Sequence, residues 1–291
     1  MANLRKTKEI LDVEDSNDPT CQPKTWRKMR DQIVSEGPQK LSLRIGVPLD
    51  YNIDTLQPNV RAGWLRYLRQ LWEHGHTLHP IRLPITQQAL SAYYILAPAE
   101  ASSNLAKYDG IRFGSRAPGL DGTPDSVLFA KTRGQGFGPE VQRRILLGTF
   151  SLSARAMDNY FVQAQKVRRL VQRDFNKVFA LQNPLFDEED DWDEEGKVDV
   201  IVCPTAPSMA PPLSQVESQQ DPVQSYTNDV FTVPASLAGL PAISLPVGEA
   251  DMSDTFGIQI IGQYGNDRLV LSAARRFEEV AQTPICFQRE E

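Results

Sequence analysis

With 291 residues, 41% of them hydrophobic, and only three cysteines, the chain holds enough apolar material for one large domain or two small ones and too few thiols for a disulfide framework. No apolar run reaches the length of a membrane span, and the opening "MANLRKTKEILD" lacks the apolar centre of a signal peptide, so neither a span nor an address is readable. The formal charge of −6 is concentrated in "DEEDDWDEE", Asp187 to Glu195, whose eight carboxylates leave +2 for the remainder, with no basic stripe of the kind that announces nucleic-acid binding.

Residues 1–40 read as a connecting segment, and 41–291 as the main α/β part, interrupted by the solvated acidic insertion 187–195. "LSLRIGVP", Leu41 to Pro48, has the pattern of a short buried strand ended by proline. The next stretch, "QPNVRAGWLRYLRQLWEHG", starts a helix at Pro58, repeats apolar residues from Val60 to Trp72 and stops at Gly75. "TLHPIRLP" predicts a second strand, completing a strand, helix, strand unit. A helical region follows from Thr86 and ends at Gly110; then comes a loop rich in glycine and proline, and mostly helical chain from Val141 to Ala180. After the acidic run, "VDVIVCPTAPSMAPP" reads as a buried strand of parallel type, followed by "VPASLAGLPAISLPVG", the strand "FGIQIIG" and a helix from about Asp267 to Ala281.

The stretch "TRGQGFGPEVQRRILLGTF" places Gly134, Gly136 and Gly138 before two arginines. A phosphate loop needs Gly-Lys-Ser/Thr at the helix start, and a dinucleotide fingerprint needs a third glycine three residues after the second; neither is present. Pro139 fits the first helical turn, so the glycines read as a turn and Arg143 and Arg144 lie one turn in, on adjacent faces. His74, His76 and His79 fall within six residues, but a glycine and strand alternation separate them, so no metal site is expected. Cys203 ends a strand, where a nucleophile could sit. No histidine motif supplies its base, which favours a buried core thiol.

The strings "RIGVPLDYNI", "YYILAPAEASSNLAKYDGIRFG", "TRGQGFGPEVQRRILLGTFSLSA", "QKVRRLVQRDFNKVF", "CPTAPS", "DPVQSYTNDVFTVPASLAGLPAISLPVG" and "GIQIIG" resemble, in the same order, the A-type subunit of glutamyl-tRNA(Gln) amidotransferase, of the amidase signature family. The resemblance runs from about Lys8 to about Val280. Its wording, with the acidic insertion, is similar to fungal mitochondrial forms.

The resemblance implies an amidase-type α/β fold, a mixed sheet flanked by helices, and a glutamine contact set of Tyr93, Arg144 and Asp229. A guanidinium fork suits an α-carboxylate and a carboxylate suits an α-ammonium. The family's catalytic serines and lysine belong to a Gly-Gly-Ser-Ser-Gly-Gly-Ser type signature that does not occur in these residues, so no catalytic residue is assigned and the chain alone is expected to be inactive. A clipped reading of a longer enzyme and a half that assembles with a separate N-terminal part both fit. So do a non-catalytic protein that only binds its partner subunits, and an amidase for another amide. The family further implies a complex with the amidotransferase's B-type subunit, joined by a small third one, and Glu-tRNA(Gln) bound through the complex. It implies ATP and magnesium used by the B-type subunit, no cofactor on this chain, and the mitochondrial matrix as its place.

Overall fold

The computed structural model describes residues 6–7, 9–10, 13–18, 20–35, 42–123, 125, 127–186, 196–211, 213, 227–248 and 255–281. The acidic run 187–195 and Cys286 lie outside them. The chain divides into two compact units, one made of Met1–Thr86 with Val171–Glu291, the other of Gln87–Leu170.

The first unit is built on a five-stranded mixed sheet in the order β2-β1-β3-β5-β4. β1 (Arg44–Pro48) pairs in parallel with β2 (Thr77–Ile81) and with β3 (Val200–Pro204). β5 (Phe256–Ile261) runs antiparallel to both β3 and β4 (Ala242–Val247). The strand expected to be of parallel type is therefore parallel on one side only; burial on both faces, which makes β3 continuously apolar, does not depend on strand direction. Ile45, Ile201, Val202, Ile258 and Ile260 are fully buried and form the sheet's core.

Helices seal this sheet. α2 (Pro58–Glu73) begins with proline at its first turn and buries Val60, Trp64, Tyr67, Leu68 and Leu71, a stripe at helical spacing. The Tyr67 hydroxyl donates to the Phe277 carbonyl at 2.8 Å, fastening α2 to α8 (Asp267–Ala281). α1 (Lys24–Ser35), within the segment expected only to connect, is a regular helix. Its sequence, KTWRKMRDQIVS, is amphipathic but rich in charge and poor in apolar residues, which hid it from a reading that looked for apolar content.

The second unit is helical. It contains most of α3 (Thr86–Leu105), α4 (Ala130–Gly136), α5 (Pro139–Ser151), a π-helical turn over Met157–Phe161 and the first half of α6 (Val162–Val178). One expectation is corrected here: α3 ends at Leu105 rather than Gly110. The chain from Val141 to Ala180 is mostly helical, as expected, with a break between Ser151 and Met157. The loop between α3 and α4 is held by carboxylates accepting from backbone. Asp109 accepts from Ile111 N and Arg112 N, each at 2.9 Å, and Asp121 from Lys131 N at 2.7 Å and Thr132 N at 3.0 Å. The backbone bond from Arg112, with that from Ile111, holds the Asp109 carboxyl well below the usual carboxylate range.

Candidate functional site

In the second unit the glycine-rich stretch folds differently from the turn expected of it. Gly134 and Gly136 lie in α4, and Gly138 precedes α5 in an extended conformation. None of the three adopts a positive φ. The turn is fastened instead by Gln142, whose side-chain amide donates to the Phe137 carbonyl at 2.7 Å and the Gly134 carbonyl at 3.0 Å. Pro139 occupies the first turn of α5 as expected.

Arg144 and Arg143 share one carboxylate. Arg144 Nε donates to Glu140 Oε1 at 2.9 Å, while Arg143 takes Oε2. Glu140 thereby sets the plane of the Arg144 guanidinium, and its spacing four residues earlier was a legible signal that sequence reasoning passed over. The side of α5 that carries Arg144 also carries Gly148, one turn on. There α5 meets α3 so closely that a Cβ on Gly148 would lie 2.0 Å from the Pro98 carbonyl oxygen. The helices bearing Arg144 and Tyr93 are thus in contact. Tyr93, half-buried on α3, stands edge-on to Tyr94 with ring centroids 5.2 Å apart.

Asp229 belongs to the first unit, at the approach to α7 (Val233–Ala238). Its carbonyl accepts from Thr232 N at 3.1 Å and Val233 N at 3.0 Å, which starts the helix. Two residues on, Phe231 is fully buried and stacks on Tyr51 at 5.0 Å, and its carbonyl accepts from Gln259 Nε2 at 3.0 Å. The core therefore anchors the segment that presents Asp229. Tyr93 and Arg144 share a unit; Asp229 is in the other.

Cys203 is buried in β3, as expected, beside the Gln259 amide at 3.5 Å. Burial pushes its thiol up to about 12, which favours the neutral thiol of a core residue over the thiolate a nucleophile needs. The three histidines take separate partners. His74 Nδ1 lies 2.8 Å from the Gln70 carbonyl, His76 Nδ1 accepts from Leu43 N at 3.1 Å, and His79 Nε2 lies 2.9 Å from Thr77 Oγ1. Among the described residues no three His, Cys, Asp or Glu side chains gather to hold a metal ion, and no helix is long and apolar enough to cross a membrane.

A family model described as Amidase matches residues 3–271. The chain belongs to the amidase family. This amidase chain is 55% identical over 284 residues to the mitochondrial A-type subunit of glutamyl-tRNA(Gln) amidotransferase from Coccidioides posadasii, covering 93% of this chain and 57% of that protein. The corresponding protein of Fusarium vanettenii is 51% identical, with 93% and 55% covered. Among solved structures, the A-type subunit of the same amidotransferase from Thermotoga maritima superposes with a TM-score of 0.61 at 30% identity, covering 92% of this chain and 48% of that one. The amidase-type α/β fold with a mixed sheet is what the resemblance implied, and the chain spans about half the length of the curated relatives it matches.

Proposed function

We propose that this chain is the glutamine-contacting half of the A-type subunit of a glutamyl-tRNA(Gln) amidotransferase, working in mitochondrial translation. In this reading Arg144 holds the α-carboxylate of glutamine through its guanidinium fork, Asp229 accepts from the α-ammonium, and the Tyr93 hydroxyl completes the cradle. Ammonia released from the side-chain amide passes to the B-type subunit, which converts Glu-tRNA(Gln) to Gln-tRNA(Gln) using ATP and magnesium; a small third subunit completes the assembly. No cofactor is assigned to this chain, and the matrix is its compartment.

The observation that carries this reading is the 55% identity to a fungal mitochondrial A-type subunit over 93% of the chain. The contact of α3 with α5 supports it, because it draws together the helices bearing Tyr93 and Arg144. Hydrolysis needs a nucleophile and base beyond these binding groups, so residues 1–291 by themselves release no ammonia. The test is made in the assembled amidotransferase. Asp229→Ala should abolish glutamine-dependent Gln-tRNA formation and leave formation driven by free ammonium intact. Equal loss of both reactions would make Asp229 a structural residue and sink the assignment.

A further inference from the structure

A cavity of about 310 Å³ opens in the sheet unit where α1 lies against the turn after α7 and the start of α8. Its walls carry three arginines, Arg27, Arg30 and Arg268, one acid, Asp267, and the rings of Trp26 and Tyr264. The arginines are positioned before any ligand arrives. Arg30 donates to Asp31 Oδ1 from Nε at 3.2 Å and Nη2 at 2.9 Å, and Arg268 Nη2 reaches the same oxygen at 3.3 Å. One carboxylate oxygen therefore serves two guanidinium groups. Arg27 is aimed by bonds to the carbonyls of Gln22 at 3.1 Å and Val13 at 3.2 Å.

The aromatic wall is equally fixed. Trp26 and Tyr264 meet edge-to-face at 5.4 Å, the Arg30 guanidinium sits 5.9 Å from the Trp26 ring centre, and Gln22 Nε2 donates to the Tyr264 hydroxyl at 3.0 Å. Gly265, at a φ of 80°, lets α1 close on this turn: a Cβ there would stand 3.2 Å from Arg30 Cγ and 3.3 Å from the Trp26 ring. The start of α8 contributes little attraction for an anion, because Asp267 occupies its first turn.

We propose that this cavity binds a free mononucleotide, its phosphate on Arg268 and Arg27 with Arg30 behind them, its base against Trp26 and Tyr264. Guanidinium groups match phosphate oxygens in geometry, and aromatic faces accept a planar base. The volume lies at the lower end of ligand pockets, which run from about 300 to 1,000 Å³. The cationic surplus is local, which suits a single phosphate better than a nucleic-acid backbone needing a row of cations.

Calorimetric titration of the intact protein with inorganic phosphate, adenosine, adenosine monophosphate and a 5′-phosphorylated single-stranded RNA oligomer tests this. Adenosine monophosphate should bind once per chain and more tightly than either phosphate or adenosine. Arg268→Ala, which breaks only a half-exposed ion pair and so leaves the fold intact, should weaken that binding about tenfold or more. Arg275→Ala removes the same charge from the same helix outside the cavity, where its partner is Glu279, and should leave binding unchanged. The proposal fails if adenosine monophosphate binds no better than phosphate, if both substitutions weaken it equally, or if the oligomer binds more tightly than the mononucleotide.

Discussion

In the sheet unit the inner strands are sealed from water, with Ile201, Val202, Ile258 and Ile260 fully buried, whereas the helical unit leaves Leu120 87%, Leu146 71% and Phe150 58% exposed. Charge divides the same way. Gln87–Leu170 carries eleven Lys and Arg against six Asp and Glu, a net of +5, and the rest of the chain carries −11. The sheet unit is held by apolar burial, which is worth most where every side chain is enclosed. The helical unit relies more on polar fastening, with Asp109, Asp121 and Gln142 each binding two backbone groups. Damage to the first should therefore appear as lost stability, and damage to the second as lost ligand geometry.

The sharpest way to break that comparison is to truncate one apolar side chain in each unit. Phe175, enclosed and stacked on Phe179 at 6.3 Å, should lose about 3–5 kcal/mol as Phe175→Ala in urea unfolding. Leu146→Ala, on the outer face of α5, should change stability by no more than about 0.5 kcal/mol. Comparable losses at the two positions would show that Leu146 is packed in solution rather than exposed, and the contrast between the units would fail.

Arg144→Lys sharpens the ligand side. Charge is kept and the planar fork lost, so in the assembled amidotransferase glutamine affinity should fall roughly ten- to a hundredfold, or about 1.5–3 kcal/mol. The ammonium-driven reaction should be spared. Unchanged glutamine kinetics would leave Arg144 as no more than the helix partner of Glu140.

A smaller effect separates two glycines of the helical unit. Gly148→Ala drives a methyl group into Pro98 and must part α3 from α5, costing about 1–3 kcal/mol and weakening glutamine binding as well. Gly134→Ala meets nothing within 4 Å and lies in α4, so it should stabilise by about 0.4–1 kcal/mol. Equal outcomes would mean that the close approach of the two helices is not what positions Arg144.

Much of the sheet unit was legible because its signals are local. Pro58 opens α2, Gly75 follows its end at a φ of 88°, and α8 spans Asp267–Ala281 as its apolar repeat indicates. What escaped was set by partners far along the chain. Nothing in "VDVIVCP" tells that β3 faces β1 on one side and an antiparallel β5 on the other. Gly134 and Gly136 resemble turn residues, yet the chain stays helical through them, and the turn is decided by Gln142 reaching back. The candidate site was legible only through resemblance. Tyr93, Arg144 and Asp229 are separated by tens of residues, and spacing alone gives none of them a role.

The smallest prediction concerns His76, whose ring is buried at the edge of the sheet unit, 5.2 Å from Phe277. Burial, with Arg276 and His74 nearby, lowers its affinity for a proton below that of an ordinary histidine near 6.5, and Nδ1 is already occupied in accepting from Leu43 N. The folded chain therefore binds fewer protons here than the unfolded chain. Stability rises with pH through this window: the contribution is complete above about pH 6.5 and is lost as pH falls toward the lowered folded value. His76→Asn keeps an acceptor for Leu43 and removes the titration, so its unfolding free energy should vary less between pH 7 and pH 5 than that of the parent chain. If both proteins lost stability in parallel over that range, the acid sensitivity would belong to carboxylates elsewhere, and the His76 ring would be only a packing element of the sheet unit.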